Sequence, residues 1–172
     1  MPKIGDREVN NNDFVVLAAG ALLFVFSFFH WFGNHVCVTS LGHKSCGNIP
    51  GYGGESGWHA GFLAWFGIVL CLLAAVRVAV RVFSSATMPT LPVSDTFLVL
   101  ALSVVGAFFI VLKLLIGEHA SAFGVSASLG RAFGIYIGTI LAIVEAVFAY
   151  FTFQASGEKL PWAKGGTPPP AV

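Results

Sequence analysis

The run Arg131–Phe153, RAFGIYIGTILAIVEAVFAYFTF, decides the fold. After the arginine it carries a single charge, Glu145, in 22 residues. As a helix rising about 1.5 Å per residue, it is long enough to cross a hydrocarbon core of roughly 30 Å. Gly130, Gly134 and Gly138 recur every four residues, and Ala142 and Ala146 continue the row. Such a face lets another helix backbone approach closely. Glu145 follows Gly138 by seven residues, which puts it about 20° away on the helical wheel. The carboxylate therefore belongs to the packing face and not to the lipid face.

Working outward, three more apolar stretches precede this one. The predicted spans are 14–32, 58–80, 96–116 and 132–153, with outer loops at 33–57 and 117–131. Polar or Pro/Gly-rich cytoplasmic tails occupy 1–13 and 154–172. The chain is 56% hydrophobic and 10% charged, against about a quarter charged in soluble domains. The fold class expected is all-α, a four-helix bundle integral to a membrane. The net charge of +1 comes with no basic cluster, which argues against nucleic acid as a partner. The N-terminal segment lacks the basic region and cleavage site of a signal peptide and is read as a tail before an uncleaved anchor.

Orientation follows from the basic residues. With both termini inside, Lys3, Arg7, Arg77, Arg81, Lys159 and Lys164 fall on the cytoplasmic side, leaving Lys44, Lys113 and Arg131 outside. The same topology places Cys37 and Cys46 in an oxidising space, where their eight-residue gap suits a local disulfide. Cys71 lies mid-span and is read as a small buried hydrophobe. Three cysteines so placed do not supply the relay of a thiol-oxidising enzyme. The aromatic end of the first span, including Trp31, is read as an anchor at the lipid headgroups.

Several residues are candidates for function. A second small-residue face runs through Gly57, Gly61, Ala64 and Gly67 and continues to Cys71 and Ala75. Glu145 is the one mid-membrane carboxylate, a type of residue that often marks an ion or proton pathway. Its expected partner is Arg77, forming a structural intramembrane charge pair. The histidines cluster towards the outer side, and His35, His43, His59 and His119 are the candidates for an outer metal site, although their spacing matches no complete ligand pattern. No cofactor is predicted.

Four short spans, a larger cysteine-bearing first outer loop and a Pro-rich tail resemble actinobacterial four-span envelope proteins of the 34 kDa antigen type. The segment GWHAGFLAWFGIVLCLLAAV after the Gly-rich loop is similar in style to their second span. Their long Gln/Gly/Tyr-rich tail is missing here. The plan also resembles claudin-like tetraspans, with Trp31 ahead of Cys37 and Cys46, though without the Gly-Leu-Trp element. These resemblances imply a multi-pass protein of a bacterial plasma membrane. The function expected is that of a non-enzymatic accessory or scaffold subunit. Its partners would be the lipid bilayer and other integral membrane proteins or further copies of itself. The alternative is a small transporter or channel subunit coupled through Glu145.

Overall fold

The computed structural model describes residues 10–40, 43–48, 50–51, 53–83, 94–122 and 125–158, with the short paired strands β1 (Lys3–Ile4) and β2 (Arg7–Glu8) before them. The Pro-containing connector at 84–93 and the tail beyond 158 lie outside the described residues. Four helices form among those described: α1 (Asn11–Ser27), α2 (Phe62–Phe83), α3 (Asp95–Ile116) and α4 (Phe133–Ala155). Each packs against its two neighbours, so the bundle closes as a ring with α1 against both α2 and α4.

Local chemistry sets the helix ends. The Asn10 side chain accepts from Asn12 N–H at 3.3 Å, and Asp13 lies in the first turn of α1, where the helix dipole favours an anion. Gly61, at φ 84°, holds back the start of α2 until Phe62. At the end of α3, Gly117 N–H donates to Lys113 C=O at 2.8 Å. Arg131 then reaches over and donates to the carbonyls of Leu114 and Leu115 at 2.7 and 2.9 Å. That guanidinium satisfies acceptors the helix leaves open.

The bundle is apolar on its outside as well as in its core. Phe24, Val76, Phe108, Ile140 and Phe151 point outward, whereas Ser27, Ser103, Lys113, Thr139 and Glu145 are buried. Apolar exteriors of this kind suit lipid as the solvent. Helices α2, α3 and α4 are long and apolar enough to cross a membrane. Helix α1 has only 17 residues, about 25 Å of rise. The predicted first span, 14–32, therefore ends early: the chain leaves the helix after Ser27 and enters a strand at His30.

The all-α expectation is corrected at this point. The two outer loops combine into one five-stranded antiparallel sheet. The first supplies β3 (His30–Ser40), β4 (His43–Asn48) and β5 (Glu55–Ser56), and the second supplies β6 (Glu118–Ala122) and β7 (Val125–Arg131). The order is β4-β3-β7-β6, with β5 pairing the start of β3. Alternation explains it. Val36 and Val38 lie opposite Leu129 and Ala127, while Cys37 and Thr39 lie opposite Ser128 and Ser126. One face is apolar, and its Leu129 packs on the bundle core; the other is polar.

Candidate functional site

Trp31 fastens the sheet to the helices. It is fully buried, and its indole Nε1–H donates to Phe26 C=O at 3.1 Å. The ring lies where the small-residue row of α4 leaves room. A Cβ placed at Gly138 would come 2.8 Å from Trp31 Cζ2, and one at Gly134 would come 2.8 Å from Trp31 Cδ1 and 2.5 Å from His30 O. Gly57 does the same from the other side, its Cβ position being 2.7 Å from Trp31 Cε2. Two readings are thereby corrected. Trp31 is not a headgroup anchor, and Gly134 and Gly138 receive an indole and the His30 backbone, not another helix.

The remaining packing candidates divide. Gly67 does meet a helix backbone: its Cβ position is 2.9 Å from Gly106 O and 2.8 Å from Ile110 Cγ1. Ala64 and Ala142 are buried in the same core cluster as Trp31. Gly61 is an exposed helix-start residue, and Gly130 sits in β7 against His35, outside α4 altogether. Two close approaches were missed, Gly106 of α3 against Cys71 and Gly20 of α1 against Ala75. Both glycines fall inside predicted spans, but neither belongs to a four-residue row.

Glu145 is sealed inside the bundle at 0% exposure. Ser103 of α3 donates to its Oε1 at 3.3 Å, and Oε2 has no hydrogen-bond partner among the described residues. The predicted Arg77–Glu145 pair does not form. Arg77 instead donates to Asp95 at 2.7 Å. Arg81 bridges Asp95 at 3.4 Å and Asp13 at 2.7 Å, and Thr152 donates to Asp13 at 3.3 Å. The physical reason is solvation. A long cationic side chain near a helix end extends towards water more cheaply than towards the bundle interior. This network ties all four helices together at the end opposite the sheet, so the start of α1 and the end of α4 share one side. Asp13 and Asp95, just inside two helix starts, were the legible signal for it.

At the sheet end, Lys113 is buried, pairs with Glu118 and stands 5.2 Å from the Phe32 ring centroid. Its head group reaches the outer end of α3 and meets the sheet there instead of open solvent. Cys37 and Cys46 face each other across β3 and β4 as a disulfide. The four histidines do not converge. His59 Nδ1 is 3.0 Å from Ser56 Oγ, His43 lies opposite Ser40, His119 lies opposite Ser128, and His35 sits beside Cys37. Among the described residues, the group of side chains close enough to share an ion is His35, Cys37 and Cys46. The chain matches no protein-family profile, curated protein or solved structure.

Proposed function

We propose that the chain is a four-span membrane protein with both termini in the cytoplasm. In this reading it acts without catalysis, as an accessory or scaffold subunit that meets other membrane proteins, or further copies of itself, through its outer sheet and apolar helix faces. One observation carries the reading: both outer loops are committed to a single sheet, keyed into the bundle by Trp31, whose edge strand β4 is exposed along its whole length. An exposed edge offers unpaired backbone groups to a partner strand. The basic residues flanking the spans support the orientation. Both resemblances, to the four-span envelope proteins and to the claudin-like plan, fit such a role.

The test places a photo-crosslinking side chain at Ser45 in β4 and, separately, at Ala127 in the middle of the sheet, in intact membranes. The expected result is a discrete adduct, with a second copy or one membrane partner, from Ser45 alone. Equal adducts from both positions, or none from either, would refute the docking edge.

The unpartnered Oε2 of Glu145 favours a second reading, a proton-coupled transporter or channel subunit. Proton flux into proteoliposomes that Glu145→Gln abolishes, with stability unchanged, would establish that reading in place of the first.

A further inference from the structure

We propose that His35, Cys37 and Cys46 form a redox-gated metal site, closed while the disulfide is intact and able to hold a borderline-soft cation such as Zn2+ once it is reduced. The strand register assembles the site. Cys37 lies directly opposite Cys46, and His35 lies directly opposite Asn48. The two-residue period of β3 puts His35 and Cys37 on one face, the polar face turned away from Leu129 and the bundle.

The imidazole is already oriented as a ligand. His35 Nδ1 lies 3.2 Å from Asn48 Oδ1, an oxygen that can only accept, so this contact is a hydrogen bond in the tautomer that carries the ring proton on Nδ1. That leaves the Nε2 lone pair facing Cys37 Sγ at 3.9 Å. A hydrogen bond from the far nitrogen is the usual way a protein fixes a metal-binding imidazole. The three potential ligand atoms all lie within 4.8 Å of one another. Tetrahedral zinc, with Zn–S of about 2.3 Å and Zn–N of about 2.0 Å, needs N···S of about 3.5 Å and S···S of about 3.8 Å. His35 Nε2 is therefore within a few tenths of an ångström of its place relative to Cys37 Sγ. The sulfurs must part and Cys46 Sγ must settle at ligand distance from the imidazole, which side-chain torsions can do without changing the strand register. His35 and Cys46 are exposed, so reductant and metal both have access. Three protein ligands leave a fourth position for water or an outside ligand.

The electron and proton balance is simple. An external dithiol supplies two electrons and two protons and is itself oxidised to a disulfide. The Cys37–Cys46 bond breaks, leaving two thiols. Metal binding then expels both thiol protons, and two thiolates and a neutral imidazole hold the cation.

The test uses the full chain in detergent micelles on a Cys71→Ala background, so that any thiolate signal comes from Cys37 and Cys46. Co2+ is titrated into the oxidised protein and into protein reduced with a phosphine. The expected result is one Co2+ per chain in the reduced protein only, with a thiolate-to-cobalt charge-transfer band that Zn2+ displaces. His35→Ala should weaken binding tenfold or more, and Asn48→Ala, which removes no ligand atom, should weaken it about tenfold. Circular dichroism on each variant checks that the helices persist. Three results would overturn the proposal: no band after reduction, equal binding by the oxidised protein, or unchanged affinity in both His35→Ala and Asn48→Ala.

Discussion

Gly138→Ala tests the lock between sheet and bundle most directly. The added methyl would sit 2.8 Å from Trp31 Cζ2 and 3.3 Å from Cη2, so the indole or α4 must move. Overpacking of this kind costs about 1–3 kcal/mol. Replacing a mid-helix glycine with alanine returns roughly 0.5–1 kcal/mol of backbone entropy. The net expectation is a loss of about 0.5–2 kcal/mol.

Trp31→Ala alone should cost about 3–5 kcal/mol, as for other large buried aromatics. Little of that comes from the indole hydrogen bond, because Phe26 C=O keeps the Phe29 N–H at 3.2 Å as a second donor. In the Trp31→Ala background the methyl at position 138 enters the space the ring has left. Gly138→Ala should then be neutral or stabilising by up to about 1 kcal/mol. The double-mutant cycle should therefore show a coupling of about 0.5–3 kcal/mol. Cys71, a free and buried thiol, reports unfolding in micelles through a thiol-reactive dye. If Gly138→Ala costs the same with and without Trp31, the row of glycines serves some other neighbour and the argument fails.

At Gly106, alanine should destabilise by about 1–3 kcal/mol, because its Cβ would meet Cys71 Sγ at 2.6 Å and Gly67 O at 2.9 Å, whereas Gly47→Ala, with nothing within 4 Å, should leave the melting temperature unchanged. Asp95→Asn removes the countercharge of Arg77 and one of the two countercharges of Arg81, which keeps Asp13, and should cost roughly 0.5–2 kcal/mol, a loss that shrinks in high salt because these side chains are partly exposed. Glu145→Gln keeps an oxygen for the Ser103 hydroxyl and should leave chemical-denaturation stability within about 1 kcal/mol of the parent; a much larger loss would mean that the carboxylate has a partner this geometry does not provide. Reducing Cys37–Cys46 opens a short loop for which the chain-entropy estimate is about 2–3 kcal/mol, so amide exchange should quicken in β4 while α2, α3 and α4 stay protected.

The sequence by itself determined what lies along the membrane normal. Stretches of 22 and 23 residues with no more than two charges each are long and apolar enough to cross a membrane, and a helix is the local way to satisfy their backbone groups in lipid. The Cys37–Cys46 pairing was legible because a short gap within one loop makes bringing the two thiols together entropically cheap. The sheet was half written. Val125, Ala127 and Leu129 alternate with Ser126 and Ser128, but between glycines the stretch also reads as a flexible connector, and nothing local names its partner strand. Only the tertiary structure decided that β7 pairs with β3, 85 or more residues away along the chain.

The same limit governed the site residues. A glycine row announces a close approach but not by what, and here the visitor is Trp31. Arg77 has one carboxylate deep in the bundle and another near the helix ends, and sequence spacing ranks them by distance alone. The structure ranks them by solvation, which favours Asp95 and leaves Glu145 to Ser103. Pairings that depend on which helix faces which, and on where water reaches, are set by the assembled bundle.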